Sequence, residues 1–193
     1  MVQMSSAALA ADSNAASWLK RAAAVVAGNL LLWASAKAQV PFWPVPMTMQ
    51  TYVVLTMAAL LGWQVAGATM VAYLAEGAVG LPVFAGTPAL GIGVPYMAGP
   101  TGGYLLGYLL AVLLVGTLVE RGGWGRSTLR LTGAMLAGEL AILAAGCCWL
   151  ALQIGWNRAL ASGLAPFLPG DGLKLVLAIG TVTYARRLRS TQR

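Results

Sequence analysis

Two side chains of opposite charge, Asp171 and Lys174, stand three residues apart in LPGDGLKL (168–175). At that spacing both leave a helix from nearly the same face. Asp171 follows Pro169-Gly170 directly, which places it at the N-cap or in the first turn of a helix. A lysine in a first turn opposes the helix dipole. Its partner is then a carboxylate, either that of Asp171 or one carried by a ligand. The other acids are Asp12, Glu76, Glu120 and Glu139. Glu76 and Glu139 fall within or beside strongly apolar stretches, where an ionisable group is costly and points to use. Glu76, near the end of its stretch, also has the plain option of reaching water. The chain has no histidine, which removes the commonest general base and metal ligand. Cys147 and Cys148 are adjacent and diverge by about 100° on a helix, so they form neither an ordinary disulfide nor a metal site. No catalytic group, metal or other cofactor is expected.

A second kind of chemistry is hydrogen bonding to a neutral ligand. GPTGG (99–103) opens a helix, with Pro100 at its start, Thr101 as N-cap, and Gly102 and Gly103 permitting close backbone approach. It lacks the Lys-Ser/Thr of a phosphate-binding loop, so the chain has no motif for ATP hydrolysis. It serves either as a capped, glycine-packed helix start or as a set of free amides facing a ligand. Aromatic residues gather in the same regions: Phe42, Trp43, Phe84, Tyr96 and Tyr104. They suit an interfacial belt or the walls and lid of a small amphiphilic ligand's pocket.

The elements that must position these groups are membrane spans. Of 193 residues, 59% are hydrophobic and 9% charged, with mean hydropathy +0.77, against about 25% charged in soluble domains. A span needs about 20 residues, so the chain has room for six. They read as residues 22–38, 48–62, 66–80, 101–119, 131–152 and 169–184. Between them lie a proline-broken loop (41–47), a turn at Gly62-Trp63-Gln64, a Gly/Pro-rich loop (81–100), a basic turn (120–130) and a loop at 153–168. Residues 1–16 are expected as a disordered tail, 17–187 as one transmembrane domain and 188–193 as a basic tail. The net charge of +7 lies at span ends without aromatic interleaving, which fits topology rather than nucleic acid. With the N-terminus cytoplasmic, nine basic residues fall inside and three (Lys37, Arg158, Lys174) outside, as the positive-inside rule requires. All nine prolines then fall in the outer loops or at their helix ends. Irregular backbone at a membrane lines or covers a cavity, which puts the functional site at the outer face. Lys20-Arg21, an apolar stretch and Ala34-Ser35-Ala36 also have the order of a cleaved signal. The basic pair comes late for one, and the segment is kept as the first helix.

PFWPVPMTMQT (41–51), GLPVFAG with GPTGGYLLGY (within 80–108) and LPGDGLKL, in this order, together resemble the BioY family, the biotin-binding S components of energy-coupling factor transporters. The resemblance covers residues 20–187. It implies an all-α, six-helix protein of the bacterial cytoplasmic membrane, with both termini cytoplasmic. Biotin would be held near the outer face under the loops after helices one and three, with Asp171 and Lys174 among its contacts. Gln50, Thr51 and Thr101 would supply neutral hydrogen bonds. Phe84, Trp43 and Tyr104 would cover the ring, and Glu76 is counted with them. The family resemblance also implies that small residues on helix one, Ala23 and Ala27 first and Ala34 and Ala38 second, dock onto a transmembrane coupling protein that carries a pair of ABC-type ATPases. Such spacing lets membrane helices approach closely. The segment TPALGIGVPYMA (87–98) departs from the glycine-rich run of the family. Three alternatives stay open: a self-sufficient, oligomeric biotin facilitator, an S component for another vitamin, and a subunit of an intramembrane enzyme.

Overall fold

The computed structural model describes residues 6–41 and 43–191, with side chains described from residue 16. Helix α1 runs Ser6–Lys37. A small hairpin follows, β1 (Gln39–Val40) paired antiparallel with β2 (Met47–Thr48). Then come α2 (Gln50–Ala78), α3 (Gly93–Ala98), α4 (Gly102–Glu120), α5 (Thr128–Ile154), α6 (Trp156–Ala159) and α7 (Phe167–Thr191). A single 3-10 turn (Trp124–Arg126) precedes α5, and a π-helical turn (Leu160–Leu164) precedes α7.

Gly62 interrupts α2 with φ 78 and ψ 170, a backbone state open to glycine and disfavoured once a Cβ is present. The arms 50–61 and 63–78 fold back on each other. The Gln50 Nε2 donates to the Tyr73 hydroxyl at 2.9 Å, whereas a straight helix would hold those residues about 35 Å apart. The reversal lies where the sequence expects a turn. Glu120, at the end of α4, closes it by accepting the Trp63 amide proton at 3.2 Å. Six long helical segments result: α1, the two arms of α2, α4, α5 and α7. By length and composition α2, α4 and α5 can cross a membrane, and α7 joined to the helical segment before it, bent by 44°, makes a fourth. The fold-back turns α2 into two passes, and α1 packs along it. Leu30, Leu31, Leu106, Leu110, Leu140 and Val176 are exposed, an outward apolar surface suited to acyl chains.

The interior is built from α4 clasped between α2 and α5, with Leu55, Val112, Val115, Met135 and Leu150 buried. Glycine sets the α4–α5 distance: a Cβ on Gly107 would lie 2.8 Å from the Cα of Ile142. Small residues at such a crossing let the backbones pack directly. Gly107→Leu should therefore lower the thermal unfolding midpoint, equivalent to about 1–3 kcal/mol of overpacking. An unchanged midpoint would mean that the crossing is not held this tightly.

Three expectations are corrected. The backbone is helical from Ser6, although residues 1–16 read as an irregular tail. Alanine has the highest helix propensity and continues a helix without any apolar stripe. Residues 1–5, Phe42 and residues 192–193 lie outside the described residues, so that part of the tail and the Phe42 lid expectation do too. The loop at 153–168 is largely helical, and α7 begins at Phe167, ahead of Pro169. Proline is tolerated in a first turn, where its missing N–H has no partner to lose. Asp171 therefore sits a turn inside α7, and is not its cap.

Candidate functional site

The end of the bundle that bears the irregular loops holds a small cavity with about 30 Å³ of free space, closely filled by its own lining side chains. Its floor and walls come from four places distant in sequence: the start of α2, the start of α4, the middle of α5 and the start of α7. The glycine-bounded loop after α2 and the β1–β2 hairpin cover it through Ala85, Val45 and Pro46.

Lys174 and Asp171 are both buried and both line the cavity. The Lys174 Nζ lies 2.5 Å from Asp171 Oδ1 and donates to the Thr48 carbonyl at 2.9 Å. An ammonium has three donors, and these contacts use two. The third is available to whatever enters the cavity. Glu139, on α5, is buried and interacts electrostatically with both members of the pair, and neither of its carboxylate oxygens has a hydrogen-bond donor among the described residues. The cluster thus sets two carboxyl groups against one cation.

Neutral groups surround the pair. The Thr48 hydroxyl donates to Gln50 Oε1 at 3.3 Å, and Gln50 in turn is fixed by Tyr73, whose hydroxyl donates to the Val83 carbonyl at 2.8 Å. This chain ties the start of α2 to the loop after it. Thr51 lines the cavity, and its buried Oγ1 has no partner among the described residues. A buried hydroxyl without a partner costs about 1–3 kcal/mol, a cost that a ligand with a polar edge would remove. Tyr104 donates to the Gly163 carbonyl at 2.6 Å and stacks on Phe167, with ring centroids 6.0 Å apart. Tyr96 donates to the Ala85 carbonyl at 2.7 Å and stacks on Phe84 at 5.2 Å.

Of the residues singled out in the sequence, Lys174, Asp171, Tyr104, Gln50 and Thr101 meet around this cavity, with Thr51 beside them. Phe84 does not line it. It is buried behind Tyr96 and edge-on to Tyr73, and it supports the wall from behind. Trp43 is exposed and lines a second, outer space of about 610 Å³ between the β1–β2 hairpin and the loop after α2. Pro46, Tyr96 and Thr101 border both spaces. Glu76 does not line this cavity. It lines a separate groove with Asn29 and Trp33 of α1. Thr101 occupies the N-cap position of α4 without a side-chain cap; its hydroxyl engages Tyr96 instead. The GPTGG turn is braced by α5, with Trp149 Nε1 donating to the Gly99 carbonyl at 2.9 Å.

Tyr108 and Phe167 are lining residues that the sequence reading missed. Tyr108 stands four residues beyond Tyr104, hence on the same helix face, and that spacing was the available signal. Phe167 carried none, because the start of α7 was placed after it. Ala23, Ala27, Ala34 and Ala38 are all exposed along α1 or just past its end. Ala27 borders an apolar groove between α1 and the first arm of α2.

The BioY family model matches residues 4–191 of the chain. A probable biotin transporter of Pyrococcus horikoshii is 33% identical over 80% of this chain and 86% of its own length. The biotin transporter of Thermotoga maritima is 34% identical over 77% of this chain and 85% of its own. Among solved structures, the S component for biotin from an ECF-type ABC transporter superposes with a TM-score of 0.78 at 26% identity, covering 90% of this chain and 93% of that one.

Proposed function

The chain belongs to the BioY family, and from that premise we propose that it is the biotin-binding S component of an energy-coupling factor transporter. The observation that carries the site is the buried Lys174–Asp171 pair opening onto a mostly apolar, aromatic-walled cavity. Biotin has a carboxylate at the end of an apolar chain, and a ureido group that both donates and accepts hydrogen bonds. The third ammonium donor of Lys174 matches the carboxylate. Thr51, Thr101 and Gln50 offer neutral partners for the ureido edge, and Tyr104 and Phe167 offer flat apolar surface for the ring. Asp171 holds Lys174 in place through the 2.5 Å contact.

The cavity faces the outside of the bacterial cytoplasmic membrane, and both termini lie in the cytoplasm. The charge distribution supports this orientation: the end remote from the cavity carries Arg121, Arg126, Arg130, Arg186, Arg187 and Arg189. Energy comes from partners, a coupling protein in the membrane and a pair of ATPases. The small-residue face of α1 around Ala23 and Ala27 is the docking surface for the coupling protein.

Equilibrium binding of labelled biotin to the purified chain in detergent tests the assignment. Binding should be saturable, with one site per chain, and unrelated vitamins in 100-fold excess should leave it in place. Displacement by an unrelated vitamin as effectively as by biotin would give the cavity a different ligand. A folded chain that binds no biotin would end the reading.

A further inference from the structure

The end of the bundle opposite the cavity has a recess of its own. It lies between the start of α5 and the end of α7 and is an open recess of about 260 Å³. Arg126 and Thr128 form one side, and Thr183, Arg186, Arg187 and Ser190 the other. Among the described residues no aspartate or glutamate lines it. Glu120, the acid at this end, is occupied with the Trp63 amide.

Arg186 is fixed in place rather than freely solvated. Its guanidinium donates to the Gly125 carbonyl and, at 3.0 Å, to the Ala59 carbonyl, tying α7 to the turn before α5 and to the first arm of α2. A guanidinium has five N–H donors, so most remain. The side chains of Arg126 and Arg187 make no hydrogen bond or ion pair among the described residues. The recess also borders the N-terminus of α5, where Ser127 provides no side-chain cap and the first turn contains no acid. The first-turn amides and the positive end of the dipole are therefore uncompensated. A solvated basic surface would account for the arginines. It does not account for Thr183, which lines the recess and whose buried Oγ1 has no partner among the described residues.

Three guanidinium groups, a positive helix end and an unpartnered hydroxyl converge on one concave space. We propose that this recess binds a phosphate group, such as that of an anionic phospholipid or of a soluble phosphate. Arginine forks match phosphate oxygens in pairs, and hydroxyls complete the shell. Location favours the lipid. The recess opens at helix ends, at headgroup depth, and Leu129 and Leu188 beside it are exposed, which gives acyl chains an apolar surface to follow. Basic pockets between helices at a cytoplasmic surface are suited to such headgroups.

The test uses the delipidated full-length chain in a neutral detergent, with thermal unfolding as the readout. The probes are dihexanoylphosphatidylglycerol, dihexanoylphosphatidylcholine and inorganic phosphate. The phosphatidylglycerol should raise the midpoint by several degrees and the zwitterionic lipid should not. Arg126→Gln with Arg187→Gln should weaken that response at least tenfold while biotin binding stays at the parent level, which also certifies the fold. A response to inorganic phosphate equal to that of the lipid keeps the site and assigns it to soluble phosphate. The proposal is overturned if neither anion moves the midpoint, or if the double variant responds as the parent does.

Discussion

Lys174→Ala should weaken biotin binding by about 30-fold or more, read as the equilibrium constant of the purified chain. The lysine supplies the one cation of the cavity, and its Nζ already sits between Asp171 Oδ1 and the Thr48 carbonyl. Loss of one partner from a buried, hydrogen-bonded charge pair costs about 2–5 kcal/mol, and each 1.4 kcal/mol is about tenfold in affinity. Part of that cost comes from leaving Asp171 buried beside Glu139 without its counter-charge, which would also weaken the fold. A second variant separates the two effects. Asp171→Asn with Lys174→Met removes both charges and keeps the volume, so its unfolding midpoint should stay near the parent's while biotin affinity remains low. The alcohol analogue of biotin, which has no carboxylate, should bind the parent weakly and lose little more in either variant. An equal loss for acid and alcohol would remove Lys174 from the carboxylate and leave it a structural role.

The second large effect is all-or-none. In sealed vesicles the chain alone should bind biotin without sustained accumulation, and accumulation should appear when the coupling protein and ATPases are supplied with ATP inside. The sequence carries no motif for nucleotide hydrolysis, so the partners are expected to supply the energy. Ala27→Trp extends the same assay to the structure. Ala27 is exposed on α1 and borders the groove against the first arm of α2, and it is not among the residues that line the cavity. The substitution should leave binding intact and reduce uptake at least tenfold by blocking the approach of a partner helix. Uptake by the isolated chain against a gradient would favour the self-sufficient facilitator instead.

The helical segments were legible because membrane insertion leaves a coarse record: apolar runs of the right length, separated by glycine, proline and arginine. The turn at Gly62 was readable because a glycine stands next to a polar step in a run otherwise long enough for two spans. The ends were harder. Pro169 looked like a barrier before a helix, yet a proline in the first turn breaks no hydrogen bond, so α7 starts earlier and Asp171 moves one turn inward. The site was legible where two residues of one helix share a face, as Asp171 and Lys174 do. It was illegible where the fold must first bring distant segments together. Nothing in the chain announces that Glu139 on α5 would meet that pair, or that Glu76 would line a groove with α1. Helical phase decides the first, and a span apolar on every side gives no stripe from which to read phase.

The fold-back at Gly62 has a mechanical consequence. Residues 50–61 make a rod of about 18 Å, well short of the roughly 30 Å hydrocarbon thickness of a bilayer. The hairpin and its prolines sit above it, so on this flank the lipid meets a protein whose apolar height is too small. A membrane answers such a mismatch by thinning locally or by recruiting another protein to fill the gap, at a cost that grows with each ångström. The deficit lies along the groove between α1 and this arm, the flank proposed here for the coupling protein. Bilayer elasticity then favours the assembled complex before any specific contact is counted, and it does so more strongly as acyl chains lengthen.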